Sequence, residues 1–340
     1  MRFTVPTIVS MMAAVLLTGC SLFPQGPDQA ERDRWSRVIE TAIEALPGVD
    51  DASHAFQYHP YGPNSYYTSR LVVRLEDGTT PAETATVVRV MGAQQLPAHY
   101  QGDSTMFEIH RMTDSFSGDW RFGRDMDVEA NAAYTWTRVS AADTGAEIHW
   151  ATPGFTADAG GRTEFISVRA GSEAEPQRAT AAMRRIIQDF PELASNHWTV
   201  SPVHGDSMSE GYSRLAPSLT HSDRRARFPS HDELELWEWF LTDQPTPIIT
   251  EVSVFDPPDA AGRTLGVMVF PPAGEKFGAA QATQLADHHL PHLARPGAVV
   301  DYTIVTRDGP RFAVLLGGCP ASVREVAPES EPFARRYERC

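Results

Sequence analysis

Lysine is almost missing from this chain: of 29 basic residues, only Lys276 is not arginine. That skew fits a GC-rich gene and points to no site. Cations as a whole are outnumbered by 44 acidic residues, which leaves a formal charge of −15. A surface of that sign repels phosphate backbones and anionic headgroups, and so argues against nucleic acid as a partner. Cysteine is equally sparse, with Cys20, Cys319 and Cys340 alone, too few and too far apart for paired metal-ligand motifs. The chain has no glycine-rich phosphate loop and no Gly-x-Ser-x-Gly elbow. Nor does any segment hold the ~18 continuous apolar residues that a membrane span requires.

What is present begins with an apolar stretch from Val5 to Leu17, preceded by Arg2 and closed by Leu17-Thr18-Gly19-Cys20. These four residues resemble the lipobox at which precursors of bacterial lipoproteins are cut and lipidated. The resemblance covers only the N-terminal segment. It implies a signal peptide over residues 1–19, a diacylglycerol on the Cys20 thiol, and a mature chain that starts at Cys20 with a charge of about −16. Residues 20–28, with Pro24, Gly26 and Pro27, then read as a tether to the membrane. Two acyl chains, at ~0.8 kcal/mol per buried methylene, suffice for stable anchoring on the extracytoplasmic side. In an oxidising compartment Cys319 and Cys340 can pair, closing a loop of about twenty residues worth ~3 kcal/mol in the chain-entropy model. The alternative is two free thiols.

The mature chain repeats itself at intervals of about 95 to 105 residues. Leu71-Val72-Val73-Arg74 followed by Pro81 matches Ile166-Ser167-Val168-Arg169 followed by Pro176 without a gap. A third copy runs from Thr264 to Phe270 as a strand and from about Gly278 to Leu290 as a helix. Amphipathic helices precede each pair: Gln29 to Leu46, Asp125 to Ala141 and His231 to Thr242. Thr80 with Glu83, and Ser230 with Glu233, form capping boxes. The expected fold class is α+β: three tandem ferredoxin-like (βαββαβ-related) units, with helices on one face of antiparallel sheets and an incomplete first unit. Their expected bounds are 29–115, 116–204 and 230–318, with a loop or linker at 205–229 and a tail at 319–340. If the last strand, Arg311 to Leu316, instead completed the first unit, Phe312 or Val314 would pair with Val72.

Candidate chemistry is thin. Tyr58, Tyr61, Tyr66 and Tyr67 cluster at an expected hairpin, where exposed rings would suit sugar or protein ligands and buried ones would serve the core. Asp287-His288-His289-Leu290-Pro291-His292 places two imidazoles four residues apart, but Pro291 is expected to end the helix and turn His292 away. Asp125, Asp127 and Glu129 lack the Gly and the twelfth-position carboxylate of an EF-hand, and suit a helix N-terminus instead. Gly205-Asp206-Ser207 resembles a Gly-Asp-Ser hydrolase block without the downstream Asp-x-x-His base. Trp237 and Trp239 flank Glu238, so only one of the two can face a core. The sequence therefore assigns no catalytic residue, no metal ligand and no cofactor. It favours a noncatalytic binding or scaffolding protein of the cell envelope, with an envelope protein or glycan as partner. An envelope hydrolase or ligand-capture lipoprotein using Ser207, Asp206 and a histidine is the alternative.

Overall fold

Alternation of buried and part-exposed side chains runs along nearly every strand, and it organises the whole molecule. The computed structural model describes residues 29–340 apart from 60–65, 96, 98–103, 121–122, 124, 143–145, 153–164, 170–176, 202–217, 222–226, 256–262, 273–274, 296, 306–310 and 320–325. The described residues pack as two units, one made of those up to Met112 with Ser117–Tyr134, the other of Thr113–Phe116 with Thr135–Cys340. Among them the order helix, strand, strand, helix, strand, strand occurs three times. The fold class is α+β with mixed strand pairing.

The first unit contains α1 (Gln29–Glu44), β1 (Val49–His59), β2 (Tyr66–Leu75), α2 (Pro81–Ala93) and β3 (Ser104–Arg111). β1 and β2 pair antiparallel, whereas β2 and β3 pair in parallel across α2. Helix α2 starts as its sequence dictates: Pro81 opens it, the Glu83 amide donates to the Thr80 hydroxyl at 3.3 Å, and the Thr80 amide donates to the Glu83 carboxylate at 2.8 Å. Helix α1 turns a different stripe inward than its apolar residues suggest. Ser36, Ile39 and Ile43 are buried while Val38 is 47 % exposed. The reason is polar: Ser36 Oγ lies 3.0 Å from Nδ1 of the buried His54, whose Nε2 lies 2.5 Å from Ser69 Oγ. Glu40 of the same helix accepts the His54 backbone amide at 2.8 Å, which satisfies a donor on the outer edge of β1.

Strand β4 (Asp114–Asp119) and helix α3 (Asp127–Ala141) contribute to both units. The second unit continues with β5 (Glu147–Ala151), β6 (Phe165–Arg169), α4 (Gln177–Asp189), β7 (His197–Ser201), β8 (Ser218–His221), α5 (His231–Thr242), β9 (Ile249–Val254), β10 (Leu265–Phe270), α6 (Ala279–Leu293), β11 (Val300–Ile304), β12 (Phe312–Leu316) and α7 (Glu331–Tyr337). From β5 to β12 each strand pairs with the next, antiparallel across a direct connection and parallel across a helix. This pairing corrects the ferredoxin-like expectation. In that arrangement a third strand separates the two strands joined by a helix; here they pair directly. Strand β12 pairs with β11, Phe312 facing Ile304 and Val314 facing Tyr302, while Val72 pairs with Ser53 and Glu108. The last strand therefore stays with its own neighbours.

Helices α4 and α5 lie side by side, clamped by Arg184, which donates to the Glu238 carboxylate at 2.8 and 3.1 Å, and by the Thr180 hydroxyl. Burial opposes ionisation of Glu238, yet hydrogen bonds from Arg184 and Thr180 hold its carboxyl below the ordinary value. This clamp ties α4 to α5. Asp114 has a similar role at the start of β4, accepting the buried Ile148 amide at 2.7 Å and the Ser140 hydroxyl.

The C-terminal tail covers the edge of β12. The Leu315 amide donates to Glu338 Oε1 and the Gly317 amide to the Tyr337 carbonyl, both at 3.0 Å, and Phe333 packs edge-on against Phe312. Gly317, at φ +71°, leaves no room for a side chain, since a Cβ there would meet the Ala298 carbonyl oxygen at 2.4 Å. A disulfide between Cys319 and Cys340 closes this arrangement. Cys340→Ser is expected to lower the stability of the second unit by about 3 kcal/mol and to free the β12 edge. Denaturant unfolding with and without reductant measures it, and a variant as stable as the oxidised parent would show that the tail is held without the bond.

Candidate functional site

In the second unit the helices cover one side of the strands. Val252, Val267, Tyr302 and Val314 pair in succession and so share that side. His289 of α6 bonds to Tyr302 there, and its ring meets Phe240 of α5. On the other side of β5, β6 and β7 stand three rows fixed by the strand register. One row is His149, Ser167 and Thr199; a second is Glu147, Arg169 and Ser201; a third is Ala151, Phe165 and His197. Between these rows Ile148, Trp150, Ile166, Val168, Trp198 and Val200 point to the helices and are fully buried or nearly so.

This open face has internal order. Ser115 of β4 lies with Oγ 2.7 Å from His149 Nδ1, and His149 Nε2 lies 3.5 Å from Glu147 Oε2. The His149 side chain is 17 % exposed, and its Nε2 is shielded from solvent. Phe165 is 54 % exposed, and its ring stacks on His197 with centroids 5.0 Å apart and planes 15° apart. A large ring presented to solvent and held flat by a neighbour offers a rigid contact surface.

No family model, curated protein or solved structure matches the chain.

Of the residues that the sequence singled out, Tyr67 is 6 % exposed with its ring 5.0 Å from that of Tyr58, so this pair packs on the helix side of β1 and β2. The side chain of Tyr66 and all of Tyr61 lie outside the described residues, as do Cys20, Asp206 and Ser207. Asp125 accepts the Asp127 amide at 2.9 Å and Asp127 pairs with Arg89 at 2.7 Å, the geometry of a helix start. Among the described residues, no group of three or more His, Cys, Asp or Glu is placed to hold a metal ion.

The histidine tract behaves differently from its expectation. Pro291 lies inside α6, which runs on to Leu293. It removes one hydrogen bond near the helix end, and the last turn is held instead by stacking of His292 on Trp239 at 4.1 Å, beside His288 at 5.1 Å. His288 Nε2 reaches the Asp243 carbonyl at 2.8 Å. His289 is fully buried, with Nδ1 2.7 Å from the Tyr302 hydroxyl and Nε2 2.6 Å from Gln244 Oε1. Trp237 is buried in turn, so Trp239 is the outward member of that pair.

The open face was missed because its members come from four strands and none is rare. The signal was nonetheless there: Glu147-Ile148-His149-Trp150 and Phe165-Ile166-Ser167-Val168-Arg169 alternate with period two.

Two buried histidines make stability depend on pH. Burial lowers His54 in the first unit to about 4, and burial together with the charges of His288 and His292 lowers His289 in the second to about 3. Both imidazoles are neutral when folded, whereas the unfolded chain takes up protons near 6.5. Their contribution is full above that pH and is lost as pH falls toward the folded values. Each histidine is expected to add a slope of about 1.4 kcal/mol per pH unit in that window. Urea unfolding at pH 7, 6 and 5 should lose one proton's slope in the second unit of His289→Gln. An unchanged slope would mean that His289 is not the group responsible.

Proposed function

We propose that this chain is a lipid-anchored cell-envelope protein that acts as a noncatalytic binding module, presenting the open face of β5 to β7 to an envelope partner. The observation that carries this reading is the division of labour across the strands. Helices seal one side, while the other bears aligned hydroxyl, imidazole, carboxylate and guanidinium groups around the exposed Phe165. The three occurrences of the same element order are read as tandem copies of one α+β unit, which together form the scaffold. The lipobox-like Leu17-Thr18-Gly19-Cys20 supports the anchor. Among the described residues no helix is long and apolar enough to cross a membrane.

A second reading, an envelope hydrolase, draws on Ser115 and His149, whose Oγ and Nδ1 lie 2.7 Å apart, with Glu147 Oε2 3.5 Å beyond the imidazole. It ranks lower because Ser115 sits within an extended strand. That position offers no tight turn to aim the hydroxyl and no helix N-terminus to stabilise an oxyanion. Labelling of Ser115 by a fluorophosphonate probe would promote it.

Cys20→Ala is expected to shift the protein from the membrane to the soluble fraction after cell breakage, since the acidic body has no electrostatic hold on anionic lipid. Retention of the variant in washed membranes would overturn the anchor.

A further inference from the structure

Resting on the reading of Cys20 as a lipid anchor, we infer that the outer face of α1 in the first unit lies against the anionic lipid surface that holds the anchor, and so sets which side of that unit faces the membrane. Arg34, Arg37, Val38 and Thr41 follow the i, i+3, i+4, i+7 spacing of one helix face, opposite the buried Ser36, Ile39 and Ile43. All four are exposed, Val38 at 47 %. Among the described residues neither arginine has a carboxylate partner, whereas Arg70, Arg74 and Arg89 of the same unit each do. The Arg34 guanidinium only leans over the Trp35 ring, 5.4 Å from its centroid. The helix's own carboxylates sit off this face. Glu40 accepts the His54 amide at 2.8 Å, Asp33 accepts from the Gln29 side chain at 2.7 Å, Glu31 acts on Tyr67, and Glu44 flanks the last turn.

Chain length identifies the occupant. Only residues 21–28 separate Cys20 from Gln29, the first residue of α1. Such a connection reaches about 30 Å at full extension, so α1 is the element held next to the lipid, at an effective concentration of order millimolar. A body with a formal charge of −15 is repelled by anionic headgroups over most of its surface. The side that bears two unpaired guanidiniums is the one a short tether can bring down, with the arginine methylenes and Val38 at headgroup depth. Two guanidiniums at such a surface favour that orientation by roughly thirtyfold. This is too little to retain the protein without its acyl chains, in keeping with the release expected of Cys20→Ala. A protein partner fits less well, since Val38 is the one large apolar side chain that α1 exposes and a protein hot spot needs a wider dry centre.

The test uses the full lipidated chain, purified from membranes and placed in vesicles of phosphatidylcholine with about one-third phosphatidylglycerol. A photoreactive amino acid stands at position 38 or, as a control, at position 53. Ser53 is exposed on β1, and its neighbour His54 bonds to α1, so position 53 points away from that helix. Phospholipid adducts are read by mass spectrometry, and position 38 is expected to give about fivefold more than position 53. Arg34→Glu with Arg37→Glu should lower the yield at position 38 about fivefold, while Arg34→Lys with Arg37→Lys should keep it within about twofold. Vesicles of phosphatidylcholine alone should lower it severalfold. Equal yields at the two positions, or a yield at position 38 that the double Glu variant leaves unchanged, overturns the proposal.

Sedimentation with the vesicles separates this failure from that of the anchor. A chain that pellets yet labels equally at both positions overturns the oriented face and leaves the anchor. A chain purified without acyl groups that stays in the supernatant overturns both. In intact cells, adducts of position 38 with protein in place of phospholipid also overturn the proposal.

Discussion

One-sided packing is the constraint on which the rest of this structure depends. Within the second unit, α4, α5 and α6 are linked in series by Arg184 with Glu238 and by Phe240 with His289, and Tyr302 joins them to the strands. All three thus cover the same side. The strands alternate, so every residue turned to the helices sends its neighbours to the opposite side. The large side chains Trp150, Trp198 and Tyr302 are consumed by the covered side. What remains for the other side of β5 to β7 is mostly polar, and Phe165 is the large apolar side chain exposed there.

Buried polar relays then decide how the helices sit. In the first unit Ser36, His54 and Ser69 connect α1, β1 and β2; in the second Gln244, His289 and Tyr302 connect the end of α5, α6 and β11. Each relay joins three elements through one neutral imidazole, which can donate at one nitrogen and accept at the other. Apolar contacts alone would allow helices to slide or rotate with little loss. A half-satisfied relay costs about 1–3 kcal/mol per orphaned group, so these bonds fix rotation more sharply than area does. The rotation of α1 illustrates this: Ser36 is drawn inward and Val38 is left outside.

Much of the secondary structure was legible because it is local. Capping boxes at Thr80 and Ser230, apolar periodicity and the recurrence of the strand before Pro81 and Pro176 all depend on residues a few positions apart. Strand order was not legible, since ferredoxin-like and sequential pairing ask for the same pattern of helices and strands. The same limit hid the candidate site. Ser115 and His149 are 34 residues apart, and only the pairing of β5, β6 and β7 brings Phe165 beside His197. Pro291 misled for a physical reason: near a helix end it forfeits one bond, a loss small enough for stacking on Trp239 to offset.

The two ends of the chain bear on the compartment by independent chemistry. A lipobox is a local signal with no consequence for the fold, whereas the Cys319 to Cys340 bond belongs to the fold and persists only where thiols are not kept reduced. That bond fastens the tail whose Glu338 and Tyr337 accept the outward amides of β12. Without it, an unprotected strand edge would be open to pairing with other chains. The bond that closes the β12 edge is thus of a kind favoured where thiols are not kept reduced, which agrees with the lipid anchor proposed at Cys20.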